Sequence, residues 1–126
     1  MSIVFFSVQD TASKLRKICD VAREHVLRGQ SLLILVPDAT VHAFVDELLW
    51  RLPEEGFLPH PSKLLLIDTQ PQEAVGLFNL RPLPFTEKIY YKTIYELEDH
   101  TSPEKLQLSR QRYSAYRDLE LPISIL

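Results

Sequence analysis

The hexapeptide SLLILV, residues 31–36, decides the fold class. Its apolar side chains follow one another without the polar alternation of a half-exposed strand, which indicates a β-strand covered on both faces, as in a parallel sheet. Parallel strands need long crossover connections, and helical patterns flank the hexapeptide on both sides. We therefore predict an α/β fold: a three-layer α/β/α Rossmann-like domain with a mostly parallel five-stranded sheet.

The segment before the hexapeptide predicts a strand and a helix. Residues 3–8 form a short buried strand, Asp10 or Thr11 caps the helix, and Gly29 ends it. The inner face of the helix contains Leu15, Ile18, Cys19, Ala22 and Val26. Its water-facing side contains Lys14, Arg16, Lys17, Arg23 and Arg28. Cys19 is the lone cysteine, and on the apolar side of this helix it is expected to be a small buried hydrophobe.

The segment after the hexapeptide predicts a second helix, capped by Asp38 or Thr40. Its apolar face contains Val41, Phe44, Val45, Leu48, Leu49 and Leu52. Trp50 points away from this face, and the loop from Pro53 to His60 carries Phe57. Two interpretations of these aromatic residues remain open. Trp50 and Phe57 form a docking patch for a partner, or Phe57 folds back and covers Trp50 within the chain.

Three more strands are predicted at residues 63–67, 74–79 and 89–97, with a proline-containing loop before the last. A final helix follows. Thr101 or Ser102 caps it, Pro103 lies in its first turn, and it runs to about Asp118. Its sheet-facing side is predicted to contain Leu108, Ala115 and Leu119, with Tyr116 on the flank.

The opposite side of the last helix carries Leu106, Arg110, Tyr113 and Arg117 at helical spacing. Two guanidinium groups beside a tyrosine suit a peptide that brings carboxylates and an apolar side chain. The alternative is a solvated face on which the two arginines are bridged to local acids such as Glu104 or Asp118.

Composition limits the possible functions. A chain of 126 residues with 45% hydrophobic and 25% charged residues predicts a single domain, residues 1–126. The net charge of −3 provides no general positive field for a nucleic-acid backbone, so any role on DNA is expected to be indirect. The apolar N-terminal stretch is too short for a signal peptide or a membrane span, and a cytoplasmic location is expected.

The sequence offers no pattern of an enzyme. Its three glycines, Gly29, Gly56 and Gly76, cannot form a G-x-G-x-x-G loop, and its four histidines are scattered without metal-ligand spacing. We predict no catalytic residue, no cofactor and no metal site. Two hypotheses follow: a protein-binding adaptor, or a degenerate nucleotide-binding-like α/β domain that senses a small molecule.

Two motifs carry a family resemblance. The order Asp46-Glu47-x-x-Trp50-x-x-Pro53, followed by Phe57-x-Pro59-His60, resembles a signature of the chi subunit of bacterial DNA polymerase III. The segment Arg110-Gln-Arg112-Tyr113-Ser-Ala-Tyr116-Arg117 is similar to a helix near the C-terminus of the same family. The resemblance extends over nearly the whole chain. It implies a non-catalytic accessory subunit of the polymerase III holoenzyme, in its clamp-loader assembly.

The resemblance also implies two partners. One surface of chi subunits holds the acidic C-terminal tail of single-stranded DNA-binding protein (SSB), which ends in an aromatic residue with a free carboxylate, preceded by proline and aspartates. Arg110 would pair with that carboxylate and Tyr113 would contact the ring, with Leu106, Arg117 and Lys105 nearby. The other surface holds the psi subunit, where the organism has one, and would contain Trp50, Pro53 and Phe57.

The sequence departs from the family at two positions of the tail site. Lysines in the best-known members are replaced by Ser114 and Leu106. Fewer cations imply weaker and less salt-dependent binding of an acidic tail. Lys105 or Arg117 would have to compensate.

Overall fold

The structure, a computed structural model, describes residues 1–51 and 63–126, and Trp50 without its side chain. Its elements are β1 Ser2–Val8, α1 Thr11–Leu27, β2 Leu32–Leu35, α2 Ala39–Arg51, β3 Leu65–Asp68, β4 Gly76–Asn79, β5 Thr93–Asp99, α3 Pro103–Asp118 and β6 Ile123–Ile125. None of the helices in these ranges has the length and apolar character needed to cross a membrane.

The described strands form one sheet of six, in the order β3-β2-β4-β5-β1-β6, and every pairing in it is parallel. The predicted α/β class is confirmed, but the predicted five strands omitted β6. That strand has three residues, too few for a periodic pattern to show. The fifth predicted strand also began too early, because β5 starts only at Thr93.

The helices cover both faces of the sheet, as a three-layer α/β/α fold requires. The connections through α1 and α2 move toward the β3 edge, whereas the connection through α3 moves toward the β6 edge. Right-handed crossovers therefore place α1 and α2 on one face and α3 on the other. The two core clusters agree: Ile18, Ala22, Val45 and Leu49 belong to one, and Tyr116 belongs to the other.

Helix α1 follows its prediction at both ends. The Asp10 side chain caps it by accepting the Ser13 N–H at 2.7 Å, and Gly29, with φ of 66°, follows its C-cap. Its buried face is wider than predicted, because it also includes Val21 and His25. Lys14 was wrongly predicted to face water: its ammonium group lies 2.6 Å from the Asp99 carboxylate.

Helix α2 is capped by Asp38, whose carboxylate accepts the Val41 N–H at 2.9 Å. Val45 and Leu49 are buried as predicted. Phe44 is an error of the prediction, since 52% of it is exposed. The residue lies at the rim of the apolar face, beside a cleft described below. Leu52, the last predicted residue of this face, lies outside the described residues.

Candidate functional site

Helix α3 begins as its sequence predicts. The Ser102 hydroxyl accepts the Lys105 N–H at 3.2 Å, and Pro103 occupies the first turn. The side that faces the sheet is different from the prediction. Its buried residues are Ser109, Arg112 and Tyr116, whereas Leu119 is 56% exposed. Hydropathy favours leucine over arginine in an interior, but a charged group can be buried when its hydrogen bonds are satisfied.

The buried polar residues of α3 converge on Glu96, a fully buried residue of β5. Arg112 Nε donates to Glu96 Oε1 at 2.9 Å. The Tyr116 hydroxyl and Asn79 Nδ2 donate to Oε2 at 2.5 and 2.8 Å. Nη2 of Arg112 also donates to the Leu97 carbonyl at 3.0 Å. We call the side chains of Glu96, Arg112, Tyr116 and Asn79 the Glu96 network. This network attaches α3 to the centre of the sheet.

Charge and burial act against each other in the Glu96 network. Burial raises the pKa of Glu96 to about 7, while Arg112, Tyr116 and Asn79 favour its charged form. Burial and the adjacent Glu96 carboxylate both raise the pKa of Tyr116 above its ordinary value. Tyr116 therefore stays protonated, and its hydroxyl donates a hydrogen bond to Glu96. Each polar side chain of the network has a hydrogen-bond partner within the protein, and these bonds hold α3 on the sheet.

The motif of α3 thus contains two kinds of position. Arg112 and Tyr116 point inward and hold the helix, whereas Arg110 and Arg117 are exposed. Arg117 lies 3.5 Å from Asp118 in an exposed ion pair, as one of the two sequence interpretations expected. Arg110 has no ion-pair partner among the described residues. Its guanidinium group is available to a ligand.

Tyr113 connects the exposed arginines with the core. It is half-buried, and its ring packs edge-on against Phe5 with the ring centres 5.7 Å apart. Leu106 is also half-buried. Leu106, Arg110, Tyr113 and Arg117 thus share one side of α3, which we call the α3 stripe. Lys105 does not join it, because Lys105 lines a cleft on the other side of the helix.

That cleft, which the sequence did not indicate, has a volume of about 380 Å³. It lies at the carboxyl ends of β4 and β5, between α3 on one face of the sheet and α1 and α2 on the other. Its lining includes apolar residues of α1 and α2, together with Lys14, Asp99, Arg81, Lys105 and Arg112. Most of the cations are already paired: Lys14 with Asp99, Arg81 with Glu87, and Arg112 with Glu96.

A comparison with known families agrees with the resemblance in the two motifs. The sequence profile described as DNA polymerase III chi subunit, HolC, matches residues 1–124. The chain belongs to this family. No curated protein sequence matches it. As a member of the chi family it is an accessory component of DNA polymerase III, with a role in DNA replication.

The structure describes only some of the other positions predicted from the resemblance to chi. Pro53 and Phe57 lie outside the described residues, and the side chain of Trp50 is not described, so the docking patch stays a prediction. Ser114, at one of the two positions that carry lysine in the best-known chi subunits, is half-buried on α3 next to Tyr113. The other such position, Leu106, lies one turn before Arg110 within the α3 stripe.

Proposed function

We propose that this protein is a non-catalytic adaptor that links the clamp-loader assembly of DNA polymerase III to SSB by binding the acidic C-terminal tail of SSB. The observation that carries the proposal is the exposed Arg110, which has no ion-pair partner in the described part of the chain, beside the half-buried Tyr113. A guanidinium group binds a carboxylate with charged hydrogen bonds, and an aromatic ring packs a second ring next to it. These are the two groups that the end of the tail presents.

The aspartates that precede the end of the tail need a second cation. Arg117 is the better candidate, because its 3.5 Å pair with Asp118 is exposed and contributes little stability. Lys105 was the other candidate for compensation, but it lines the cleft and does not belong to the α3 stripe. We therefore assign Arg110 to the terminal carboxylate, Arg117 to the preceding acids, and Leu106 and Tyr113 to apolar contact.

The remaining partners follow from the family. We propose that Trp50, Pro53 and Phe57 meet psi where that subunit is present, which would connect the protein to the clamp loader in the cytoplasm. Contact with DNA is then only indirect, through SSB and the polymerase. This agrees with the net charge of −3, which gives no general attraction for a phosphate backbone.

Fluorescence anisotropy of a labelled SSB tail peptide tests the proposal. We expect saturable binding that weakens about tenfold or more in Arg110→Ala, since charged hydrogen bonds contribute about 1.5–3 kcal/mol each. Removing the last residue of the peptide should have a similar effect. Arg16→Ala is the matched control, because it removes the same charge from an exposed position on α1. An equal loss in both variants would mean general charge attraction and would contradict the assignment.

The cleft is the observation that favours the alternative function, a nucleotide-binding-like domain that senses a small molecule. The chemistry at its helix ends opposes that alternative. Asp10 and Asp38 cap α1 and α2, so each helix N-terminus already carries a carboxylate, which repels phosphate. We expect no rise in melting temperature when nucleotides are added to the purified protein. A saturable rise that depends on the cleft residue Lys14 would favour the alternative.

A further inference from the structure

Strand β6 forms one edge of the sheet, which we call the open edge because no strand among residues 1–51 and 63–126 pairs with its outer side. Its inner side bonds to β1: the Leu126 N–H donates to the Phe5 carbonyl at 2.8 Å, and the Pro122 carbonyl accepts the Ile3 N–H at 2.8 Å. In a parallel pair, alternate residues direct their main-chain groups toward the neighbouring strand. Ser124 therefore also faces β1, whereas Ile123 and Ile125 direct their N–H and C=O groups away from the sheet.

The open edge is next to the α3 stripe. Phe5 pairs in register with Glu96 on one side and with Ile125 on the other. Directly opposed residues share a face of the sheet, so Ile125 lies on the face that α3 covers. Tyr113 packs on Phe5, one strand away from Ile125. Because the cleft side of α3 faces β4, the stripe faces the β6 edge.

The side chains of β6 do not prevent another strand from pairing with it. Exposed edge strands commonly carry charged side chains, especially lysine, which prevent pairing with other chains. No side chain of residues 123–126, ISIL, is charged, and Ile125 is 53% exposed. The exposed cations nearest the edge are Arg110 and Arg117 on α3, and Arg117 is weakly paired with Asp118. An extended segment that pairs here would therefore need acidic side chains.

We propose that the SSB tail binds as an added strand: the residues before its terminal aromatic residue pair with the outward main-chain groups of Ile123 and Ile125. This inference rests on the function proposed above and specifies its geometry. Alternate side chains of an added strand point to one face, so acidic residues can reach Arg110 and Arg117. Main-chain hydrogen bonds also offset the cations missing at Ser114 and Leu106.

A scan of N-methylated peptides tests the added strand. Each peptide carries the full tail with one main-chain N–H methylated, at residues other than the proline, which has no N–H. Its affinity for the wild-type protein is measured by anisotropy. Amides that face β6 alternate with amides that face away. We expect a period of two: methylation at one set of positions weakens binding by about fivefold to tenfold, and methylation between them by less than about twofold.

Two variants of the protein test the same inference by changing β6 instead of the peptide. Ile125→Pro removes the outward N–H but keeps the inward bonds of Ser124 and Leu126, and proline is tolerated at such edge positions. Ile125→Ala removes the side chain and keeps the N–H. We expect Ile125→Pro to bind the tail about fivefold less tightly than Ile125→Ala. If the proline variant proves unstable by circular dichroism, the peptide scan on wild-type protein decides alone.

The outcomes separate the two proposals. If the unmodified tail binds through Arg110 and methylation shows no period of two, strand addition is wrong and the adaptor function stands. If the unmodified tail does not bind the wild-type protein, both proposals fail. A period of two together with the loss in Ile125→Pro supports both.

Discussion

Nε of Arg112 lies 2.9 Å from Oε1 of Glu96, and both side chains are buried between α3 and the sheet. A buried charge pair stabilises a fold only when its other hydrogen bonds are also satisfied. Here Tyr116 and Asn79 bind the second carboxylate oxygen, and the Leu97 carbonyl accepts from the guanidinium group. The pair therefore fixes the rotation of α3 about its axis, which turns Arg110 outward.

The same substitution should have very different effects on stability at two arginines of α3. Arg112→Ala leaves the Glu96 carboxylate buried without its cation, so we expect the free energy of unfolding to fall by about 3–5 kcal/mol at pH 8. Arg110→Ala should change it by less than about 0.5 kcal/mol, because the side chain is exposed and forms no ion pair with any described residue. Urea denaturation of both variants measures this. Similar losses would contradict the division of the motif into inward and outward positions.

Glu96 should make stability depend on pH. Its pKa is raised from 4.5 to about 7 by burial, so the folded protein binds this proton more tightly than the unfolded chain does. The contribution of Glu96 to the free energy of unfolding is therefore greatest below about pH 4.5, and it declines as the pH rises through 7. The advantage of wild type over Glu96→Gln should therefore shrink by on the order of 3 kcal/mol across that interval.

The comparison of wild type with Glu96→Gln also controls for other groups that titrate in this pH range. Burial lowers the pKa of His25, which produces the opposite pH dependence, but His25 is present in both and its effect cancels. Denaturation curves from pH 4.5 to 8 give the difference directly. A constant difference between wild type and Glu96→Gln would refute a raised pKa for Glu96.

Gly76 should tolerate no side chain. A Cβ atom at this position would lie 2.6 Å from Cε1 of His25, whose ring is held between the Gln30 carbonyl at 3.1 Å and the Tyr95 hydroxyl at 2.9 Å. We expect Gly76→Ala to lower the free energy of unfolding by about 1–3 kcal/mol. In a His25→Ala background the same change should cost much less. If Gly76→Ala lowers the free energy of unfolding equally in the His25→Ala background, the loss comes from the backbone and not from the contact with His25.

The sequence predicts the fold better than it predicts the site, for a physical reason. A run such as Leu32–Leu35 and the spacing of Val45 and Leu49 report burial directly, because apolar residues are buried without partners. Glu96 and Arg112 are buried only because they meet, and they are 16 residues apart on different elements. A pattern of single residues cannot show such a pair. The spacing of Ser109, Arg112 and Tyr116 on one helical face was the available signal.

The outward positions were predicted more accurately, because exposed charge needs no partner. Arg110 and Arg117 are exposed as expected, while Tyr113, predicted on the side of α3 opposite the sheet, packs on Phe5 of the sheet. An aromatic side chain at the edge of a helical face can contact both core and solvent, and hydropathy does not distinguish these positions. The half-buried ring is a better platform for a peptide than a free one, because its orientation is fixed before binding.

Restoring a family lysine should strengthen tail binding. Ser114 lies one helical turn beyond Arg110, so Ser114→Lys adds a cation beside the guanidinium group, at a cost of about 0.2–0.5 kcal/mol in helix stability from like charges. We expect the affinity for the SSB tail to rise by about threefold to tenfold at low salt, with a steeper dependence on salt concentration. Gln111→Lys is the control, because it adds the same charge at an exposed position of α3 outside the stripe. If both variants bind equally well, the gain reflects net charge alone, and the tail does not end at Arg110.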